Sequence, residues 1–252
     1  MDSIWTKTVQ LPQFDKLRSD LKTDVLIIGG GMAGVLCAYR LAQAGVDCAL
    51  VEADRIGCGI TKNTTAKITA QHGLIYDKLI REFGVERARL YLEANQKALE
   101  EYCALCKNID CDFEKKDAFV YSLDNRKKLD RELKALDKLG VGAEFVKNIP
   151  LPFPTVGAVK FRNQAQFHPL KFLAVIVKNL RIFEHTKVLE LGPGKAVTNG
   201  GIISADKIIV ATHFPLLNKH GGFFLKLYQD RSYVLALENA PDVHGMYIDE
   251  DE

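Results

Sequence analysis

A short apolar segment that runs directly into a glycine-rich turn constrains this chain more than any other sequence feature. Residues 24–28 form an apolar run without polar interruption after the first position, as in a parallel strand covered on both faces. Gly29, Gly31 and Gly34 follow with G-x-G-x-x-G spacing. The first glycine allows a sharp turn, the second lets a pyrophosphate approach the backbone, and the third lets helix and strand pack closely. The pattern predicts the start of a Rossmann-like dinucleotide-binding domain.

A helix is predicted directly after this turn. Residues 32–44 have apolar side chains at helical spacing, and Gly45 ends the pattern. Met32 and Ala33 fall in the first turn, where backbone amides and the helix dipole would hold phosphate groups. We therefore expect the diphosphate of a nucleotide to lie at this helix N-terminus.

The next apolar run ends in an acidic residue whose position indicates the kind of nucleotide. Residues 46–51 form the second predicted strand, and Glu52 closes it 21 residues after Gly31. An acid here accepts hydrogen bonds from a ribose hydroxyl pair and repels a 2′-phosphate. The alternative is a glycine-rich turn that holds no ligand. The ordered series of strand, helix, glycine stop, strand and acid argues against that alternative.

Charge and hydropathy exclude several classes of function. The 252-residue chain has 34 basic and 32 acidic residues and a net charge of +2, which gives no electrostatic reason to expect nucleic acid or an anionic membrane as partner. Its apolar runs are too short to span a bilayer, and its first 20 residues lack the apolar segment of a secretory signal. Six cysteines without an export signal indicate reduced thiols. We expect a cytoplasmic protein with no transmembrane segment.

Three cysteines lie close together in the sequence. Cys103 and Cys106 are one turn apart on a predicted helix, Cys111 follows, and no fourth metal ligand is evident. Free cysteine is usually a small core hydrophobe. We predict buried thiols here and no metal site.

The segment after Glu52 distinguishes flavin from nicotinamide binding. Residues 53–73 are polar and rich in Gly and Thr, where a nicotinamide dehydrogenase would have another helix. Such a segment would lie across a ligand more readily than it would pack into a core. Here the sequence resembles the FAD-dependent oxidoreductases of the D-amino-acid oxidase and glycine oxidase family. Residues 61–79, TKNTTAKITAQHGLIYDKL, are similar to a bacterial subgroup that often ends in a Rieske iron–sulfur domain.

The resemblance implies which residues would contact FAD. In the family a loop crosses the FAD pyrophosphate and reaches the isoalloxazine. The matching residues are Thr61, Lys62, Asn63, Thr64, Thr65 and Ala66. By the same resemblance, Val188 would place its backbone amide and carbonyl against the adenine, and Ala211 and Thr212 would lie at a strand end near the pyrophosphate.

Candidates for contact with the substrate are fewer. Residues 227–238, LYQDRSYVLALE, resemble the antiparallel strand that crosses above the flavin and would carry Arg231 and Tyr233. Arg231 could pair with a substrate carboxylate in a bidentate manner, or with Asp230 or a backbone carbonyl. His72 would lie near the flavin face, although lone histidines are more often core residues.

The remaining pattern predicts the other elements. Residues 76–107 are expected to be helical with a break at Gly84. A charged helix spans residues 125–139, and another helix starts at Pro169. A strand over residues 181–192 would open a meander that returns to the nucleotide domain.

The predicted fold is α/β, with a Rossmann-like FAD/NAD(P)-binding domain and an inserted α+β substrate domain. The FAD-binding domain is expected to comprise residues 1–107 and 165–216, and a partial substrate domain residues 108–164 and 217–252. Relatives continue beyond the equivalent of residue 252, so the resemblance implies a fold that is incomplete at its C-terminus. A truncated reading frame or one half of a split protein would account for this.

The leading functional hypothesis is FAD-dependent oxidation of an amine or amino acid by hydride transfer to flavin N5. Electrons would pass to oxygen or to an iron–sulfur partner. A second hypothesis is a catalytically incomplete FAD-binding fragment that needs a complementing chain and exposes apolar strand edges. A third is a nicotinamide-only dehydrogenase or a flavoprotein disulfide reductase; the latter is disfavoured because Cys58 has no C-x4-C partner.

Overall fold

The glycine-rich turn follows an inner strand of a six-stranded sheet. The structure is a computed structural model that describes residues 3–216, 222–228 and 233–251. The chain forms two compact units, Met1–Thr65 with Pro169–Ala236 and Ala66–His168 with Leu237–Glu252. Each unit has its own sheet, so the predicted α/β class is confirmed.

Helices and strands alternate along most of the described chain. The helices are α1 (Ile4–Thr8), α2 (Met32–Gln43), α3 (Tyr76–Phe83), α4 (Val85–Cys106), α5 (Arg126–Leu139) and α6 (Pro169–Ile176). The strands are β1 (Leu21–Ile28), β2 (Cys48–Val51), β3 (Lys67–Ile68), β4 (Glu114–Ser122), β5 (Glu144–Val146), β6 (Gly157–Gln166), β7 (Ile182–Phe183), β8 (Val188–Gly192), β9 (Lys195–Thr198), β10 (Ile202–Val210) and β11 (Met246–Asp249). Short 3₁₀ helices lie at Ile60–Asn63 and Phe223–Leu225. Among the described helices, none combines the length and apolar character needed to cross a membrane.

Strand order in the first unit is β7-β2-β1-β10-β9-β8. The first four strands are parallel, and β10, β9 and β8 form an antiparallel meander. In β1, Leu26 pairs with Ile208 on one side and Ala49 on the other. Leu26 and Ile27 are fully buried, as predicted for a strand covered on both faces.

One predicted strand is two strands in the structure. The prediction of a continuous strand over residues 181–192 is wrong, because β7 pairs with β2 while β8 pairs with β9. Between them Glu184 and Thr186 are buried and polar. Their side chains accept backbone hydrogen bonds from Phe14 and Leu17, and such long-range partners interrupt the ladder.

A five-stranded sheet organises the second unit, with order β11-β4-β6-β3 and β5 also paired with β6. Helices α3, α4 and α5 pack together in this unit. Its core contains the ring of Tyr76, stacked on Phe161 at 6.2 Å between centroids, and the buried Leu129 and Leu136 of α5. The helical patterns predicted for residues 76–107 and 125–139 are confirmed, with the break at Gly84.

A buried carboxylate fixes the start of α3. Glu132 of α5 accepts hydrogen bonds from the backbone amides of Tyr76 at 2.9 Å and Asp77 at 2.8 Å. Burial raises the pKa of Glu132, and these two amide bonds act in the opposite direction. An acid at a helix N-terminus satisfies amides that the helix itself leaves unpaired.

The two compact units divide the chain at different residues from the predicted domains. Because α3 and α4 pack with α5, residues 66–107 lie in the second unit, whereas the predicted FAD-binding domain included them. The second boundary falls after His168 rather than after residue 164.

A strand was expected over residues 227–238. The described residues of this range do not form one. Leu227, Tyr228 and residues 233–238 form no strand, and Tyr233 and Leu235 are 83% and 87% exposed. Arg231 lies outside the described residues. A strand requires a neighbour to take its backbone hydrogen bonds, and the described chain places none beside this segment.

Candidate functional site

The turn between β1 and α2 requires glycine at two positions. Gly29 has a φ of +112°, and a Cβ added there would lie 2.7 Å from the carbonyl oxygen of Ala211. A Cβ on Gly34 would overlap the carbonyl oxygen of Gly29. The backbone amide of Ala211 donates to Ile28 at 2.8 Å, so the end of β10 forms one wall of the turn. Thr212 follows directly, and its hydroxyl donates to Phe214 O at 2.8 Å.

The N-terminus of α2 faces residues 57–66, which include the loop of residues 61–66 that the resemblance predicts to cross the pyrophosphate. We call residues 57–66 the crossing segment. The N-cap residue Gly31 provides no side-chain cap. Instead, the backbone amide of Met32 donates to the Thr61 hydroxyl at 3.1 Å, and Thr61 is buried. A Cβ on Gly31 would meet only Thr61 Oγ1, at 3.6 Å, among the described atoms beyond its chain neighbours. At Gly31, which precedes the first turn, the described chain thus leaves room of the kind that a diphosphate fills.

The crossing segment is held mainly by hydrogen bonds of its backbone. Lys62 donates its amide to Gly57 O at 3.1 Å, and the Asn63 side chain donates to Gly59 O at 3.2 Å. The Thr64 carbonyl accepts from Trp5 Nε1 at 2.9 Å. Thr65 is exposed. The segment is therefore an ordered polar strip beside the α2 N-terminus.

Ala66 ends the crossing segment in an unusual backbone conformation. Its φ is +60°, in the left-handed region, and its side chain is buried. Its carbonyl oxygen accepts a hydrogen bond from the Phe167 amide at 3.4 Å. A non-glycine residue with positive φ persists only where surrounding contacts hold it.

Glu52 is oriented by two backbone amides. Its carboxylate accepts from Gly30 N at 2.6 Å and from Asp54 N at 2.9 Å. This places a half-buried negative group at the end of β2, beside the glycine turn. A carboxylate has about four acceptor positions, so bonds to two amides leave capacity for ribose hydroxyls.

Val188 lies at the start of β8 and is buried in the same apolar cluster as Ile28 and Val51. Its backbone pairs with Thr198 of β9. The structure thus brings together the end of β1, the start of α2, Thr61, Glu52 and the end of β10. Val188 is linked to them by the apolar cluster that it shares with Ile28 and Val51.

Sequence reasoning missed Glu184, which organises the base of the crossing segment. Its carboxylate is 1% exposed and accepts from Ile56 N at 2.8 Å and Phe14 N at 3.0 Å. Arg55 Nε lies 3.6 Å away. The only available signal was a single acid directly after the apolar pair Ile182 and Phe183, which is too weak to identify its partners.

The substrate-side candidates do not form a described group. His72 is exposed in the second unit, with Nε2 3.2 Å from Asn95 Oδ1 and its ring edge-on to Tyr91. Tyr233 is exposed in the first unit, and Arg231 is outside the described residues. The described positions of His72 and Tyr233 therefore define no catalytic arrangement.

The cysteine cluster lies in the second unit. Cys106 and Cys111 are buried and Cys103 is half-buried, all as free thiols. Burial, followed by a hydrogen bond to the Cys111 thiol, raises the pKa of Cys106 to about 12. Within the described ranges, no set of three or more potential ligands is arranged to hold a metal ion.

Known proteins share this sequence and fold. The chain is 37% identical over 265 residues to a Bacillus subtilis (strain 168) protein that carries the name Rieske 2Fe-2S iron-sulfur protein YhfW, matching all of this chain and 52% of that protein. It is 24% identical over 225 residues to gamma-glutamylputrescine oxidoreductase of Escherichia coli (strain K12), with 79% of this chain and 50% of the relative covered. The chain thus spans about half the length of these curated relatives.

The fold also matches solved structures. L-proline dehydrogenase from P. horikoshii superposes with a TM-score of 0.64 at 20% identity, covering 77% of this chain and 53% of that one. Residues 24–251 match the family model described as FAD dependent oxidoreductase, which covers the glycine turn, Glu52 and the crossing segment. The chain therefore belongs to the DAO family of FAD-dependent oxidoreductases.

Proposed function

We propose that this chain binds FAD at the α2 N-terminus and contributes to the oxidation of a small amine or amino acid. The observation that carries the proposal is the contact of the buried Thr61 hydroxyl with the Met32 amide, beside the open space over Gly31. This contact places the polar crossing segment beside the first turn of α2, whose amides have no acceptor within the helix itself and can bind a diphosphate.

Each residue of the site has a proposed task. The amides of Met32, Ala33 and Gly34 hold the diphosphate, while Thr61 and its neighbours lie along it. Glu52 accepts hydrogen bonds from the ribose of the adenosine. The backbone of Val188 contacts the adenine, and Ala211 and Thr212 border the diphosphate.

Flavin chemistry and the name of one relative support the proposed substrate class. Bound FAD supplies a hydride acceptor at N5 for a carbon that bears nitrogen, while the protein contributes binding and orientation. One relative is named for oxidation of gamma-glutamylputrescine, an amine. Arg231, Tyr233 and His72 remain the proposed substrate-side residues.

The proposed electron acceptor is an iron–sulfur partner or oxygen. The iron–sulfur alternative is supported by the Bacillus relative, which is similar to this chain in sequence and is named as a Rieske 2Fe-2S protein. The free thiols of the described chain suit a reducing cytoplasm, and the net charge of +2 argues against a nucleic-acid partner.

The absorption spectrum of the purified protein tests the cofactor assignment. The two long-wavelength bands of oxidised flavin should appear in stoichiometric amount. Glu52→Ala should reduce FAD affinity about ten- to hundredfold, since a hydrogen-bonded charge contributes about 1.5–3 kcal/mol. Glu190→Ala, an exposed change on β8, is the matched control. FAD retained undiminished by Glu52→Ala would refute the ribose contact.

A second candidate is an FAD-binding unit that needs a complementing chain. On the side of β10 that faces β9, only residues 202–204 pair with β9. On that side residues 206–210 have no strand partner within the described chain, whereas on the other side residues 207–210 pair with β1. Exposed apolar side chains also occur at Leu225, Tyr228 and Leu235. An open strand edge and exposed apolar side chains each favour association with another polypeptide.

Co-expression distinguishes the two candidates. The second predicts a colourless, self-associating protein that becomes monodisperse and yellow when produced with a polypeptide equivalent to the remaining half of the Bacillus relative. The first predicts a yellow protein without that addition. Light scattering after size exclusion, with flavin absorbance recorded across the peak, separates these outcomes.

A further inference from the structure

Residues 3–20 precede the region that matches the family model, yet they contact the cofactor side of the first unit at several points. We call them the N-terminal strap. The strap begins with the short helix α1 and continues without regular structure to β1. It contacts the crossing segment, the residues between β7 and β8, and the start of β10.

The α1 end of the strap holds the crossing segment directly. Trp5 Nε1 donates to the Thr64 carbonyl at 2.9 Å, in a partly buried position. Thr64 is the first residue after the 3₁₀ helix and is extended, with φ −75° and ψ 154°. Its carbonyl is therefore fixed three residues after Thr61, which accepts the α2 amide. The crossing segment is thus hydrogen-bonded to α2 through Thr61 and to α1 through Thr64.

The middle of the strap packs under the same segment. A Cβ on Gly57 would lie 2.9 Å from Leu11 Cδ1, and Gly57 has a φ of +67°. Phe14 donates its amide to one oxygen of Glu184, whose other oxygen accepts from Ile56. The strap and the base of the crossing segment thus share one buried carboxylate.

The far end of the strap is anchored away from the cofactor side. Leu17 donates its amide to the Thr186 hydroxyl at 3.1 Å, and Asp20 accepts from the Ile202 amide at 2.8 Å. These contacts hold the strap but do not involve the crossing segment. They provide an internal comparison for the role of Trp5.

We propose that Trp5 is a positioning residue for FAD binding. By holding the Thr64 carbonyl it keeps residues 61–64 against the α2 N-terminus and orders them before the cofactor arrives. The crossing segment has little apolar burial of its own, since Asn63 and Thr65 are exposed. Fixing such a chain in advance removes ordering entropy from the binding step. This inference rests on the proposed FAD site.

The test compares Trp5→Phe with Asp20→Ala. Each change removes one hydrogen bond of the strap, and Phe retains an aromatic ring. Trp5→Phe should raise the Kd for FAD about three- to tenfold, as expected for one lost hydrogen bond. It should also accelerate amide hydrogen exchange of residues 57–66 in the cofactor-free chain. Asp20→Ala should change the Kd by less than about twofold and leave that exchange unchanged.

Equal effects of the two variants on Kd and on exchange would overturn the proposal, because the strap would then only stabilise the fold. The exchange comparison needs no cofactor. If the wild-type chain binds no FAD, the proposed function fails, and exchange alone decides the role of Trp5.

The wild-type chain provides a further readout, which holds even if Trp5→Phe fails to fold. Trp5 is the sole tryptophan of the sequence, so its fluorescence reports on the strap alone. FAD bound beside the crossing segment should quench this emission in proportion to site occupancy. FAD binding that leaves the Trp5 emission unchanged would contradict the proposed position.

Discussion

The crossing segment and a second segment, residues 222–228 and 233–236, differ in whether their groups have partners within the chain. We call the second segment the apolar segment. The crossing segment is polar, but Thr61, Lys62 and Thr64 each form a hydrogen bond to another part of the chain or within the segment. The apolar segment carries Leu225 and Leu235 at 80% and 87% exposure. Its described residues form no strand.

The difference shows which of the two segments forms its contacts within the described chain and which leaves apolar side chains exposed. A polar segment whose backbone is satisfied needs no further partner beyond a ligand. An apolar segment with exposed side chains gains free energy from any partner that covers it. The substitutions below test the two behaviours, and the expected effects decrease from the first to the last.

Gly34→Ala should have the largest effect. Its Cβ would overlap the Gly29 carbonyl oxygen, so either β1 or α2 must shift. We expect a loss of about 4 kcal/mol or more in unfolding free energy, and no bound flavin. Gly192→Ala, where a Cβ would meet nothing within 4 Å, should leave the unfolding free energy unchanged or raise it by up to about 1 kcal/mol, because glycine weakens a strand. Urea denaturation measures both, and similar midpoints would show that the turn tolerates a side chain.

Glu184→Ala should destabilise the base of the crossing segment. The amides of Phe14 and Ile56 would lose their acceptor. Two buried donors left unpaired predict a loss of about 3 kcal/mol in unfolding free energy. The exposed Glu190→Ala on β8 should stay within about 0.5 kcal/mol. A loss below about 1 kcal/mol for Glu184→Ala would mean that water replaces the carboxylate.

Thr61→Val should have a smaller effect on stability. Valine keeps the shape of threonine but leaves the Met32 amide without its acceptor, which predicts a loss of about 1 kcal/mol. Thr65→Val, at an exposed position of the same segment, is the control and should leave unfolding unchanged within about 0.5 kcal/mol. Thermal melts of the cofactor-free chains provide the comparison. Identical melting temperatures for the two variants would show that the hydrogen bond between Thr61 and Met32 does not stabilise the fold.

Leu225→Ser combined with Leu235→Ser should change unfolding free energy least, by about 0.5 kcal/mol or less, because both side chains are exposed. The same pair should lower the binding of a hydrophobic dye and reduce self-association. A loss above about 1 kcal/mol would show instead that the apolar segment is packed in solution.

Local patterns predicted the elements whose causes lie close together in the sequence. The β1–turn–α2 unit follows from an apolar run and glycine spacing. Helix α5 begins where Asn125 accepts from the Lys128 amide at 3.1 Å and ends at left-handed Gly140. Caps and periodicity act over a few residues, so one sequence is enough to identify them.

Features that depend on distant partners were not predictable in this way. Glu184 lies where the expected strand is interrupted. The interruption was not predictable because the amides that Glu184 accepts from are 128 and 170 positions away in the sequence. The same holds for Trp5, 59 positions from the carbonyl it contacts. Tyr233 was assigned to a strand by resemblance alone, and strand formation depends on a neighbour that local sequence does not specify.

The wall of the glycine turn has a consequence for biosynthesis. Gly29 and Ala211 come together only through β10, so the turn remains open until the ribosome has passed residue 211. Residues 66–168 emerge in the interval and form most of the second unit. Most of the second unit is therefore synthesised before β10 can pair with β1 and complete the glycine turn.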